Sequence, residues 1–176
     1  MSNPLGPKKY KYSDLCYYFT QKVFESIIDE GQNTFLHRSI YAPMGLQNIR
    51  YTPLNYFDKD RIVPTEHDHK FRKQLIHGHV HDPGAAMLGG VGGHAGIFSN
   101  TADLASIMQL FLKNGNYAGN QFFTERIRKK FTKKQYEGNR RGIGFDRPRD
   151  NGGGTCDKLA SNSSFGHSGF TGALAW

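Results

Sequence analysis

Apolar residues between Ser13 and Glu30 recur at three- and four-residue steps, at Leu15, Tyr18, Phe19, Val23, Phe24, Ile27 and Ile28. That spacing places them on one helical face, expected to be buried. Ser13 or Asp14 suits the first turn of this helix and Gly31 its end. Thr34 to Tyr41 predicts a shorter helix, stopped by Pro43 and Gly45. From Tyr51 to Gly93 prolines, glycines and histidines break any sustained period, which predicts a long, ordered, meandering loop that lines something. Asn100-Thr101-Ala102-Asp103 opens a further helix carrying Leu104, Ile107, Met108, Phe111 and Leu112, with a stop at Asn114-Gly115. Thr124 to about Lys133 predicts another, with Ile127 and Phe131 on one side.

After Gly138 the character changes. Arg141 to Phe145 predicts a short strand, Asp146 to Ser161 a polar glycine-rich excursion, and Ser164 to Trp176 alternates small and apolar residues in strand fashion. The resulting fold class is α+β: a dominant helical part, a few short antiparallel strands and an incomplete sheet. Trp176 falls within a predicted strand, so residues 1–176 are expected to form a single partial domain, an interior piece of a longer one. Residues 1–11 are expected to be a poorly ordered lead-in. A partial domain should expose core surface and strand edges and self-associate through them.

A length of 176 residues with 37% apolar content suits one domain, not two. No apolar run reaches membrane-spanning length, and the opening MSNPLGPKKYKYS has no apolar segment of a signal peptide. The formal charge of +8 would suit a polyanion, but the basic residues lie in short groups: Lys8-Lys9, Arg128-Lys129-Lys130, Lys133-Lys134 and Arg140-Arg141. These read as solvated faces, with no interleaved aromatics, and no nucleic-acid partner is expected. Cys16 and Cys156 form neither a disulfide scaffold nor a metal-type pair.

Three segments could carry chemistry. Tyr12-Ser13-Asp14 opens a helix, which puts the Tyr12 hydroxyl near the positive end of a helix dipole, where a phenolate is favoured and proton shuttling is feasible. A packed ring beside a cap is the plainer alternative. In Gly166-His167-Ser168-Gly169-Phe170-Thr171-Gly172 the glycines let backbone approach a ligand, as donors to an oxyanion must; a glycine-rich hairpin with an incidental histidine is the alternative. Leu88 to Ser99 is glycine-rich but lacks the Gly-Lys-Ser/Thr ending of a phosphate loop and the spacing of a dinucleotide fingerprint. His77, His79, His81 and His94, with Asp82 and Glu66-His67-Asp68-His69, invite a metal reading. Bracing of the long loop by hydrogen bonds is the preferred role, and neither metal nor cofactor is expected.

In their order these features resemble the serine β-lactamase and penicillin-binding-protein superfamily, in its class C β-lactamase and esterase-like branch. Tyr12-Ser13-Asp14-Leu15 is similar to the second motif of that family and His167-Ser168-Gly169 to the third. Ile40 to Leu46, Val63 to Glu66, His77 to Asp82, and Gly89 to Ser99 running into Thr101-Ala102-Asp103-Leu104-Ala105 are similar to its intervening blocks. The resemblance implies acyl transfer by a serine, through an acyl-enzyme released by water, on a small-molecule or peptide substrate. It implies that Tyr12 assists proton transfer, that His167 takes the place of the third-motif lysine, and that the Phe170 N–H supplies half of an oxyanion hole. Ser168 and Gly169 would line the substrate. Asp14 in place of the commoner Asn keeps an acceptor and loses a donor, which leans toward an ester or peptide substrate. No S-x-x-K precedes Tyr12, so this chain is expected to lack the nucleophile and to be inactive alone; a non-catalytic cell-wall or glycan-binding module is the alternative. The resemblance also implies a parent protein that acts outside the cytoplasm.

Overall fold

The computed structural model describes residues 10–150 and 154–176. Most of the expected lead-in, residues 1–9, lies outside the described residues; Tyr10 and Lys11 are exposed and in no regular element. In chain order the elements are α1 (Leu15–Ile28), α2 (Gln32–Leu36) continuing into a π-turn (His37–Tyr41), β1 (Pro64–Asp68), β2 (Gln74–His77), α3 (Pro83–Met87), α4 (Thr101–Leu112), β3 (Asn116–Tyr117), β4 (Asn120–Gln121), α5 (Glu125–Thr132), β5 (His167–Ser168) and β6 (Leu174–Ala175). The strands form three separate antiparallel pairs, β1 with β2, β3 with β4 and β5 with β6. The described residues therefore combine helices with short antiparallel strands and hold no closed sheet, an α+β arrangement.

The helix starts follow their capping chemistry. Asn100 accepts from the Asp103 N–H at 2.8 Å ahead of α4 and Thr124 from the Ile127 N–H at 3.4 Å ahead of α5. The Asp103 carboxylate turns away from its own helix to accept from the Asn48 N–H at 2.7 Å, tying α4 to the segment after the π-turn. Asp14 stands at the start of α1, yet its side chain makes no capping bond; Ser13 Oγ accepts from the Leu15 N–H instead. The helix ends at Asp29 in a left-handed conformation (φ 55°), two residues before Gly31, which opens α2.

The buried face of α1 differs from the expected one. Tyr18, Phe24 and Ile28 are half-buried, but Leu15, Phe19, Val23 and Ile27 are exposed, Ile27 at 77%. The most buried residue of the helix is Gln21, at 4%. Its side-chain amide is built into the glycine-rich segment: Oε1 accepts from the Gly93 N–H at 2.9 Å and Nε2 donates to the Val91 carbonyl at 3.1 Å. A Cβ on Gly93 would sit 2.7 Å from the Tyr17 carbonyl oxygen, so the glycine is what lets the loop touch the helix backbone. A period count cannot distinguish a face pressed on apolar side chains from one pressed on backbone that demands hydrogen bonds.

The region from Tyr51 to Gly93, expected as an ordered loop, holds regular structure as well, with the β1–β2 pair and α3 inside it. Asp68 makes the hairpin turn, accepting from the N–H groups of Lys70, Phe71 and Arg72 at 2.9 Å each. Those backbone bonds, led by Arg72 and Phe71, hold its carboxyl far below the usual range. The histidines brace this region as separate pairs: His77 bonds the Ile62 carbonyl, His81 the Glu66 carboxylate and His94 Nε2 the Asp82 carboxylate at 2.7 Å. Among the described residues no three His, Cys, Asp or Glu side chains converge on one point.

The apolar core sits where α2 and its π-turn meet α4, through Tyr41, Met44, Leu46, Ile49 and Leu110, with Ile107 and Phe123 beside them. A chain of rings extends it toward the C-terminus: Phe111 lies 5.1 Å from both Phe123 and Phe145, and Phe145 lies 5.3 Å edge-on from Phe165. Arg141 to Phe145 is not a strand. The Ile143 N–H bonds the Phe131 carbonyl, and Gly144 has φ 78°, so the segment turns and delivers Phe145 to the rings.

Gln21→Leu keeps the side-chain volume and leaves the Gly93 N–H and Val91 carbonyl without partners. An unpaired, partly desolvated donor and acceptor cost about 1–3 kcal/mol each, and urea unfolding at neutral pH should show a midpoint lowered accordingly, with an unchanged slope.

Candidate active site

Three separately held segments meet beside the start of α1. The first is the turn at Tyr12. The second is the stretch Arg140 to Asp146, pinned by Phe145 among the rings. The third is the β5–β6 hairpin, bridged to Asp146 through the Gly166 backbone, whose N–H donates to the Asp146 carbonyl at 3.1 Å while the Asp146 N–H donates back at 2.7 Å. A Cβ on Gly166 would fall 2.1 Å from the Ala175 carbonyl oxygen, so this crossing admits only glycine.

Asp146, 1% exposed, is the anchor. Its carboxylate accepts from Arg140 Nη2 at 2.7 Å, from the Arg147 N–H at 2.9 Å and from Thr155 Oγ1 at 3.0 Å. Arg140 Nε also lies 2.7 Å from it, off line for donation. Arg141 is the more distant partner, at 3.6 Å. Burial pushes the Asp146 carboxyl upward, but the Arg140, Arg147 and Thr155 hydrogen bonds outweigh it and hold the group below its ordinary value. The Arg140-Arg141 pair is thus not a solvated basic face. Nor is Arg128, whose Nε bonds Asn114 Oδ1 at 2.6 Å.

Arg141 joins the two predicted motifs. Its guanidinium carbon lies 4.9 Å from the centre of the Tyr12 ring, a cation–π geometry, and its Nη1 lies 3.0 Å from His167 Nε2. Tyr12 and His167 therefore share one neighbour, as residues of one site would. The Tyr12 phenol is shifted opposite to the dipole argument: partial burial, then the Asp14 charge, raise it above its usual value, and Arg141 offsets this only in part. The neutral phenol, not the phenolate, is the favoured form.

His167 Nδ1 faces the Ser168 carbonyl at 2.8 Å. Beyond it the Gly169 N–H donates to the Ala173 carbonyl at 2.6 Å, closing a tight loop whose tip carries Phe170. Among the described residues the Phe170 N–H has no protein acceptor. The Phe170 ring is otherwise exposed but stacks on His81 at 4.3 Å and 10°, which brings the β1–β2 hairpin, with Glu66 bonded to His81, up to the site. A separate cavity of about 600 Å³ opens between that hairpin and the glycine-rich segment, lined by Thr52, Leu54, Arg72, Ile76, Gly89 and Phe98 among others. None of Tyr12, Asp14 or His167 lines it.

The sequence did not single out Asp146, read Arg141 only as part of a solvated basic pair, and assigned His81 to the bracing of the long loop rather than to this site. The run Arg140-Arg141-Gly142-Ile143-Gly144-Phe145-Asp146 carried the signal, two cations and a carboxylate across a glycine turn.

The sequence model of the Beta-lactamase family matches residues 5–176. The chain belongs to that family. Among its relatives are the putative D-alanyl-D-alanine carboxypeptidases of Escherichia coli O157:H7 and of strain K12, each 36% identical over 182 aligned residues covering 94% of this chain and 41% of the relative. The protein of that description from Salmonella newport is 35% identical with the same coverage. The chain therefore spans about two fifths of the length of the curated relatives it matches. No solved structure matches. The resemblance carried by Tyr12-Ser13-Asp14 and His167-Ser168-Gly169 holds at the level of the family, and with it a hydrolase-type, penicillin-binding-protein-like kinship.

Two measurements test the electrostatics. Asp14→Asn removes the charge that opposes the Tyr12 phenolate, so the Tyr12 component of an ultraviolet titration, isolated by difference against Tyr12→Phe, should move to lower pH. A depressed carboxyl stabilises the fold fully above its unfolded value of about 3.9, and that contribution fades as pH falls through the lower folded value. Asp146→Asn should therefore weaken the protein at pH 7 and cost progressively less as the pH is lowered below about 3.9, read as the gap between wild-type and variant urea midpoints.

Proposed function

We propose that this chain forms the tyrosine and histidine side of a serine acyl-transfer site acting on an amide or ester, with peptides ending in D-alanine as the leading substrate class. The observation that carries the reading is the convergence of Tyr12 and His167 on Arg141, beside a Phe170 N–H with no protein acceptor. The kinship with proteins described as putative D-alanyl-D-alanine carboxypeptidases supports the substrate class.

In this reading the attacking serine belongs to an S-x-x-K segment, a pattern absent from these 176 residues. Its hydroxyl gives its proton to the lysine of that segment as the oxygen bonds to the substrate carbonyl carbon; when the bond to the leaving group breaks, the neutral Tyr12 phenol passes a proton to the departing atom and is reprotonated from that lysine. The Phe170 N–H faces the developing oxyanion, with Ser168 and Gly169 forming the edge along which the substrate lies. The chain by itself binds but does not turn over. Function would take place outside the cytoplasm, where such peptides are found. Among the described residues no helix is long and apolar enough to cross a membrane.

A fluorescent penicillin and a fluorophosphonate probe test the proposal. A version of the protein carrying an S-x-x-K segment joined to this chain should be labelled, and Tyr12→Phe should slow labelling by a factor of about 10²–10⁴, the usual contribution of a positioned proton donor. Labelling of neither probe, with peptidoglycan fragments still bound, would favour a non-catalytic cell-wall module.

A further inference from the structure

His167 meets two partners of fixed character. The Ser168 carbonyl, 2.8 Å from Nδ1, can only accept. The Arg141 guanidinium, 3.0 Å from Nε2, can only donate. Both constraints select the same proton arrangement: a hydrogen on Nδ1 and a lone pair on Nε2. A hydrogen on Nε2 would point at a guanidinium, which has no lone pair to accept it.

We propose that Arg141 is a positioning residue that fixes His167 as the neutral Nδ1–H tautomer and itself supplies the positive charge at this corner of the site. The ring has no nitrogen left over in this arrangement. Its Nδ1–H is spent on its own strand and its Nε2 lone pair on Arg141, so His167 neither donates to a substrate nor takes a proton until Arg141 moves. The Asp146 carboxylate takes its close contacts from Arg140, Arg147 and Thr155 at 2.7–3.0 Å and holds Arg141 only as a longer ion pair, through Nη2 at 3.6 Å, which leaves Nη1 for His167. One of its five N–H groups is given to His167, Nη2 faces Asp146, and the guanidinium rests against the Tyr12 ring, so a single cation touches both residues that the family motifs single out.

The meaning of this for catalysis rests on the acyl-transfer reading, but the tautomer does not. Imidazole ¹⁵N spectra of the protein, with His167 assigned by difference against His167→Asn, decide it without any turnover. Wild type should show a protonated Nδ1 and a lone-pair-bearing Nε2. Arg141→Met, which keeps an unbranched apolar stem and removes every donor, should shift the population toward Nε2–H, the form an unconstrained imidazole prefers in water. Arg141→Lys restores a donor and should return the Nδ1–H pattern. An Nε2–H ring in wild type, a wild-type spectrum in Arg141→Met, or an Nε2–H ring in folded Arg141→Lys overturns the proposal. Because the wild-type spectrum is itself decisive, a folding defect in Arg141→Met does not shelter it. Failure of probe labelling, by contrast, would count against the acyl-transfer reading and leave these spectra unchanged.

Discussion

The Gln21 side chain is the constraint from which the N-terminal half of this structure follows. An amide at the centre of a buried helical face is tolerated only if its oxygen and nitrogen both find partners, and here the partners are backbone groups of the glycine-rich segment. That demand brings Gly93 against α1 so closely that no side chain fits. The same network then spreads. Gln21 also donates to Glu25, Glu25 accepts from the Gln32 N–H, and Gln32 donates to the Tyr51 hydroxyl, which donates to the Gly92 carbonyl. Burial drives the Tyr51 phenol up to about 12, so it stays a donor throughout the working range. Helix, loop and the start of the hairpin region are held by one continuous polar seam.

The C-terminal half is organised around an opposite device, a buried charge. Asp146 would be costly where it lies were it not bonded by Arg140, Arg147 and Thr155. The rings of Phe145 and Phe165, on either side of its bridge to Gly166, carry this knot onto α4 through Phe111. The two devices meet at the start of α1. Tyr12 precedes the helix that Gln21 fixes, and Arg141 and His167 belong to the knot that Asp146 fixes. The relative placement of the two motifs thus depends on features of which neither motif is a part.

This explains which parts were legible in advance. Helices α4 and α5 were, because Asn100 and Thr124 are caps and Ile107, one of the predicted apolar positions, packs on a core made of side chains; the buried Leu110 was not in that predicted set, and Leu112, which was, is exposed. The existence of α1 was legible but its orientation was not. Leu15, Phe19, Val23 and Ile27 form a second apolar stripe at four-residue steps, which these residues leave uncovered, while the face that packs does so through an amide. The hairpin at Pro64 to His77 escaped notice because Asp68 turns it with backbone bonds rather than with an Asn-Gly or Asp-Gly signal, and its strands carry mostly polar residues. Tyr12 and His167 were legible as motifs; that they share Arg141 was not, since a link across twenty-six residues leaves no periodic trace.

The balance of charge around Tyr12 bears on what the site can do. Asp14 and Arg141 act on the phenol in opposite directions, and burial adds to the former, so at rest the proton stays on oxygen. A tyrosine in that state gives a proton more readily than it takes one. In the acyl-transfer reading this assigns it to the leaving group rather than to activation of the nucleophile, and leaves activation to a base from another segment. Arg141 sharpens the division: moving it toward an incoming anion would take its charge from the Tyr12 ring and its donor from His167 together. In that reading a substrate that engaged the guanidinium would raise the phenol further and free the histidine lone pair in one step, coupling occupancy of the site to the proton inventory on both of its motifs.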